Sequence, residues 1–134
     1  MAIKNTSRQY ALQATVDMTY ADLLTGVATK ALRLPVGAIV VGGGLRTTVA
    51  DNGGTSVTIS VGDTASGTAY VSAANAKTLD LWTAFAVTKL GALYTAADDI
   101  KVTRTEGGTA SSAGTFRLVV QYVIDQRANE VQPG

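Results

Sequence analysis

Apolar and polar residues alternate along several stretches of this chain, and this alternation is its strongest structural signal. In residues 9–19, Tyr10, Leu12, Ala14, Val16 and Met18 occupy every second position. Similar patterns occur at residues 28–34, 57–61, 100–105 and 115–124. A period of two is typical of strands with one buried and one solvent-facing side. Because turn-forming residues recur about every ten positions, we predict an all-β fold, an antiparallel β-sandwich of jelly-roll or Greek-key-like topology.

The stretch 34–70 is expected to organise this sandwich. Two runs rich in Val, Ile and Thr flank residues 51–54, Asp-Asn-Gly-Gly, which favour a turn. We therefore predict a long central hairpin that turns at residues 51–54. Within the first run, the glycines at 42–44 predict a β-bulge or a close backbone approach.

Six side chains on the apolar sides of these strands are predicted to form the core. They are Val16, Val57, Ile59, Phe116, Leu118 and Val120. In the strand at 100–105, we expect Lys101 and Arg104 to face solvent. Residues 106–114 are expected to form a flexible connector of hairpin type because they are rich in Gly and Ser.

Residues 70–87 fit two patterns. Residues 73–77 are compatible with a helix start, whereas Leu79, Leu81, Thr83, Phe85 and Val87 alternate as in a strand. We favour a loop or short turn followed by a strand.

The aromatic residues of this region allow two interpretations. Trp82 is expected to be the large core residue of the sandwich. The alternative is a sugar-stacking platform that Trp82 forms with Tyr70, Phe85 and Tyr94.

Length and composition limit the possible functions. The 134 residues predict an N-terminal arm at 1–8, a sandwich domain at 9–124 and a C-terminal tail at 125–134. Only 16% of the residues are charged, against roughly 25% in typical proteins. A net charge of +1 gives no excess for binding phosphates, so we expect no nucleic-acid partner. We also expect no membrane partner, because no stretch approaches the roughly 20 apolar residues that cross a bilayer.

Catalysis is not expected. The chain has no histidine and no cysteine, so the usual general base near neutral pH and the commonest zinc ligands are absent. We expect no metal and no cofactor. The acids fall in turns or at strand ends, where ordinary solvated carboxylates are expected; these are Asp51, Asp63, Asp98, Asp99 and Glu106.

Several short motifs resemble those of tailed-bacteriophage structural proteins. A Leu-Pro-Val-Gly-Ala strand at 34–38 precedes a strand that ends in Val-Gly-Asp at 61–63. A Tyr and a small-residue segment follow at 70–77, and the last strand contains Val-Gln-Tyr at 120–122. With these motifs the chain resembles the small β-sandwich proteins that decorate or cement tailed-phage capsids.

This resemblance implies a non-enzymatic protein on the outside of the virion, made in the host cytoplasm. Its implied partner is an HK97-type shell of major capsid protein, to which such proteins bind as dimers or trimers. A homo-oligomer is also expected because strands such as 28–34 have uncharged flanks, which oppose edge pairing poorly. Alternatives are a lectin-like host-binding head or tail-fibre module, and a head–tail or tail-tube component.

We predict that the two terminal segments supply much of the attachment. Each combines an apolar anchor with charged residues on a segment too short to fold alone. The predicted partner-binding residues are Ile3, Lys4, Arg8, Arg127, Glu130 and Val131. The rival hypothesis is that a flat sandwich face rich in Thr and Val binds the shell.

Overall fold

In the part of the chain that the structure describes, the fold consists of eight β-strands. A computed structural model describes residues 10–125 and residue 127 of the chain, and no helix occurs among them. The strands are β1 (Leu12–Thr19), β2 (Ala28–Leu34), β3 (Ala38–Val49), β4 (Ser56–Gly62), β5 (Val71–Asn75), β6 (Trp82–Ala84), β7 (Asp98–Gly107) and β8 (Thr115–Ile124). Within that described part, therefore, no helix is long and apolar enough to cross a membrane.

The strands form two four-stranded antiparallel sheets. The first sheet has the order β1-β8-β3-β6 and the second the order β2-β7-β4-β5. The predicted antiparallel sandwich is confirmed. The pairs β1–β8, β2–β7, β3–β6 and β4–β5 are nested, as they would be if one long hairpin were folded over on itself.

The core lies between the two sheets. Val57, Ile59, Phe116, Leu118 and Val120 are buried, as predicted. Val16 is only half-buried because it lies on β1, an edge strand of the first sheet.

The predicted central hairpin is wrong. Both of its runs form strands, β3 and β4, but these strands belong to different sheets. Residues 50–55 therefore cross between the sheets. The physical reason is Asp51, which is buried and ion-paired to Arg104 of β7 instead of facing water in a turn. The connector at 108–114 also crosses between sheets, so the hairpin-type prediction for that segment is wrong as well.

The prediction for the glycine run is confirmed. The pairing of β3 with β8 shifts its register between Val40 and Gly42. At Gly43, where φ is 134°, a Cβ would lie 2.1 Å from the carbonyl oxygen of Val119. Only glycine fits where the two backbones approach this closely.

Two short strands occupy the ambiguous segment 70–87. The first, β5, contains residues 73–75, three of the five that were compatible with a helix start, and the second, β6, is three residues long. A strand was predicted after a loop in this segment, and β6 is that strand. No alternation pattern indicated β5, so the predicted loop is wrong at residues 71–75.

Candidate interaction surfaces

Most of the predicted arm residues lie outside the described part of the chain. They are Ile3, Lys4, Arg8, Glu130 and Val131. Arg127 is described: it lies just beyond β8, is half-buried, and its backbone N–H donates to the carbonyl oxygen of Ile124 at 3.2 Å.

Both terminal segments leave the sandwich at the same end. β1 and β8 are antiparallel neighbours, and Leu12 at the start of β1 lies opposite Tyr122 near the end of β8. We call this end the arm end, and the opposite end, where residues 50–55 and 108–114 cross between the sheets, the corner end. The chain preceding β1 and the chain following β8 can therefore reach one common surface.

The arm end also exposes apolar side chains. Val36 is 62% exposed in the turn before β3, and Leu93 is 47% exposed where it bridges to Ile39. Tyr10, just before β1, is 66% exposed. We call Tyr10, Val36 and Leu93 the arm-end patch. This patch was not predicted from the sequence, although the apolar Val36 between Pro35 and Gly37 of a turn was a usable signal.

A buried polar network stiffens the arm end. Asp63 follows β4 and is buried. Its Oδ2 accepts a hydrogen bond from the Tyr94 hydroxyl at 2.7 Å and lies 3.2 Å from the Lys89 Nζ. Its Oδ1 accepts from the Ser66 N–H at 2.9 Å. The Tyr70 hydroxyl lies 2.5 Å from that of Tyr94, so the network reaches into the core.

The protonation states of Asp63 and Tyr94 are complementary. Burial by itself raises the pKa of Asp63, but the hydrogen bonds and Lys89 outweigh it and leave the pKa lowered. Burial, together with Tyr70 and Asp63, raises the pKa of Tyr94. Asp63 is therefore held ionised and Tyr94 neutral, in a donor–acceptor arrangement suited to holding loops together.

A second buried network holds the corner end. Arg104 is 3% exposed, so the prediction that it faces solvent is wrong. Its Nε donates to Asp51 Oδ2 at 2.8 Å, and its Nη2 donates to Glu106 Oε2 at 2.7 Å. The Ser111 hydroxyl donates to Asp51 Oδ1, which also accepts from the Gly53 N–H at 2.8 Å.

The carboxylates of this second network are not ordinary solvated groups, contrary to prediction. Burial raises the pKa of Asp51, but hydrogen bonds from Arg104, Ser111 and Gly53 outweigh it, so the pKa is lowered. Hydrogen bonds from Ser111 and Arg104 lower the pKa of Glu106. The oxygens of these carboxylates already accept hydrogen bonds, and their pKa values are lowered. Such groups stabilise the fold, whereas a general acid needs a raised pKa.

Trp82 is not a core residue, which corrects that prediction. It is 47% exposed on the outer face of the first sheet. Its ring lies over Gly44, where an added Cβ would be 2.4 Å from the Trp82 Cζ2. Beside it, Arg46 and Asp80 form an exposed ion pair at 2.9 Å.

The predicted alternative, an aromatic platform for sugars, is not assembled. Tyr70, Phe85 and Tyr94 are all buried, and the rings of Tyr70 and Phe85 pack in the core with centroids 4.9 Å apart. Trp82 is thus the one member of that predicted set that is exposed.

The outer face of the second sheet is rich in hydroxyl groups. Thr58 lies opposite Thr105, and Ser60 lies opposite Thr103. Towards β2, Lys30 and Arg33 lie 3.3 and 3.4 Å from the carboxylate of Asp99. Among the described residues, no group of three or more Asp, Glu, His or Cys is arranged to hold a metal ion.

Three solved structures share this fold. A chain of the "Cyanophage Pam1 capsid asymmetric unit" matches with a TM-score of 0.72 and 24% identity, covering 92% of this chain and 94% of that one. A chain of the "Capsid of Ralstonia phage GP4" gives 0.67 and 14% identity, covering 95% and 92%. A chain of the "Acidic stable capsid structure of Helicobacter pylori bacteriophage KHP30" gives 0.60 and 14% identity, covering 89% and 95%.

No protein-family model and no curated protein matches the sequence. At these identities, the structural similarity establishes a common fold over nearly the whole length of each chain.

Proposed function

We propose that this chain is a non-enzymatic structural protein of a tailed bacteriophage that binds the outer surface of the capsid and decorates or cements it. One observation carries the proposal: the fold is shared, over nearly the full length of both chains, with chains of three phage capsid structures. Because coverage is high in both directions, the compared chains are similar in size to this one. The proposed partner is a shell of HK97-type major capsid protein.

The arm end is the proposed attachment surface. Both terminal segments leave there, so Ile3 and Lys4 before β1 and Val131 beyond β8 can engage the shell together. Two tethered segments bind more tightly than either alone, because the second binds at the effective concentration set by the first. The exposed side chains of Val36 and Leu93 add apolar area at the same end of the sandwich.

The arm end is also suited to this role by its rigidity. The Tyr94 hydroxyl donates to Asp63, and the Tyr94 carbonyl oxygen accepts from the Gly37 N–H at 2.8 Å, so the segments that carry Leu93 and Val36 are tied to the buried network. A fixed surface loses less conformational entropy on binding than a mobile one does. Ordering of the terminal segments is then the main entropic cost, and their apolar contacts and backbone hydrogen bonds offset it.

Truncation tests the role of the terminal segments. One variant lacks residues 1–7 and another lacks residues 128–134, and each is mixed with expanded capsids that lack the protein. We expect both variants to melt near the parent temperature and at least one to lose co-sedimentation with capsids. If both decorate capsids with unchanged occupancy, a sandwich face is the binding surface instead.

A matched pair of substitutions tests the arm-end patch. Val36→Asp places a charge at the arm end, and Val49→Asp places the same charge on another exposed valine, at the corner end. We expect Val36→Asp to reduce capsid occupancy and Val49→Asp to leave it unchanged. Equal effects of the two variants would contradict attachment through the arm end.

A further inference from the structure

The first sheet has one edge that is poorly protected against pairing. Each sheet has two edge strands, and exposed edges of soluble proteins usually carry charges, bulges, prolines or very short strands. Three of the four edges here follow that rule. β2 carries the charged side chains of Lys30 and Arg33 and has a bulge between Lys30 and Leu32. The expectation that this strand is poorly protected against edge pairing is therefore wrong.

The edges at β5 and β6 are protected in other ways. β5 has five residues, Ala73 has a φ of 51°, and the register with β4 shifts between Ile59 and Val61. β6 has only three residues. Neither presents a long, regular row of backbone groups.

β1 lacks these features. It has eight residues, pairs with β8 without a register shift, and contains no proline, lysine or arginine. Its one charged residue, Asp17, is neutralised by Arg117 of β8 at 2.8 Å. Among the described residues, no backbone hydrogen bond joins the outer edge of Leu12–Met18 to another segment.

The side chains of β1 are incompletely covered. Leu12, Ala14 and Val16 point towards the core but are only half-buried. A further strand beside β1 would extend the sheet and bury the same row of apolar side chains. The edge therefore offers both backbone groups and apolar area.

We propose that β1 pairs antiparallel with β1 of a second copy of this chain, about a two-fold axis at Thr15. This register brings similar residues together: Leu12 faces the partner's Met18, Ala14 faces the partner's Val16, and Gln13 faces the partner's Asp17. The apolar row stays continuous on the core side, and Asp17 meets a neutral amide. Directly opposed residues of this kind stabilise a sheet, whereas like charges destabilise it.

The hydrogen bonds of Thr19 favour this register over one centred on Val16. Its N–H and its Oγ1 both donate to Asp22 Oδ2, at 2.9 and 3.0 Å. An axis at Val16 would place Thr19 within the new ladder, where its N–H is already in use. An axis at Asp17 would oppose two carboxylates. The register centred on Thr15 uses only Leu12–Met18 and avoids both problems.

Such pairing is weak for the free protein. Seven residues on each side bury less than the roughly 1,200 Å² of a stable interface. On a capsid, where two copies are held side by side, the effective concentration favours the pair. The inference goes beyond the proposed function, because capsid binding does not require self-pairing and each can fail without the other.

A single-cysteine variant tests the proposal directly, because the full chain contains no cysteine. In Thr15→Cys the two thiols of the pair would face each other across the axis, close enough for a disulfide. Gln121→Cys is the control, since Gln121 is exposed on the same face but one strand further in. Under mild oxidation at equal concentration, we expect Thr15→Cys to form covalent dimer roughly tenfold faster, because pairing raises the local thiol concentration.

A charge variant gives a second measurement. In Thr15→Lys, two ammonium groups would be directly opposed, and sedimentation velocity at concentrations at which the parent forms the weak pair should show less self-association than for the parent or for Gln121→Lys. Melting temperatures close to the parent's would show that these exposed substitutions leave the sandwich folded. Equal cross-linking of Thr15→Cys and Gln121→Cys would overturn the proposal, as would unchanged self-association of Thr15→Lys.

Discussion

Replacement of Arg104 by alanine should strongly destabilise the sandwich. The guanidinium is 3% exposed and donates to Asp51, Glu106 and Ser111. Without it, the buried Asp51 carboxylate keeps only the donors from Gly53 and Ser111. Removing one member of a buried ion pair costs about 3–5 kcal/mol.

Protonation of Asp51 would relieve the part of this loss that comes from its unpaired charge. The ordinary pKa of 3.8 lies roughly three units below pH 7, and at about 1.4 kcal/mol per unit protonation costs about 4 kcal/mol at that pH. At roughly 4 °C per kcal/mol for a domain of this size, the melting temperature should fall by roughly 12–20 °C. Because protonation becomes easy near pH 4, the difference from the parent should be smaller there than at pH 7.

The control for this experiment is Arg46→Ala. Arg46 pairs with Asp80 at 2.9 Å, but its side chain is 47% exposed and that of Asp80 is 63% exposed. Surface pairs of this kind contribute less than about 1 kcal/mol. Thermal unfolding followed by circular dichroism would measure both variants. If the two melted within about 3 °C of each other at pH 7, the reasoning about the corner end would be refuted.

Three further predictions concern the core, the glycine run and acid stability. Leu118→Ala should cost about 2–5 kcal/mol in urea unfolding, and a loss below about 0.5 kcal/mol would contradict its place in the core. Gly43→Ala should lower the free energy of unfolding clearly more than Gly26→Ala does, because both glycines have positive φ but of the two only Gly43 lacks space for a Cβ. Equal losses would show that the close backbone approach at Gly43 is unimportant. The pKa of Asp63 is lowered on folding, so its stabilisation is present above about pH 4 and is lost as the pH falls through its folded pKa. Asp63→Asn should therefore flatten the acid side of the stability profile, and a profile as steep as the parent's would contradict the Tyr94 network.

Local sequence patterns were sufficient to predict most of the strands but not how the strands pair. Alternation in β8 and β4 predicted Leu118 and Ile59 as core residues because local periodicity reports which side of a strand is buried. Asp51 looked like an ordinary turn residue, since its partner Arg104 is 53 residues away and only tertiary structure brings them together. The hairpin prediction was wrong for the same reason.

The candidate interaction surfaces also depend on tertiary contacts that local sequence patterns do not report. Trp82 was expected in the core because large aromatic residues are usually buried, and no local pattern revealed that it covers Gly44 on an outer face. The shared exit of the two terminal segments depends on the pairing of Leu12 with Tyr122, 110 positions apart, and so could not be predicted from local signals.

An image reconstruction of capsids decorated with this protein is the most direct test of attachment through the arm end. We expect density for the sandwich on the outside of the shell, with the arm end facing the major capsid protein and the ends of β1 and β8 continuing into contact with it. Density on the inner surface, at the tail, or with the corner end against the shell would contradict it.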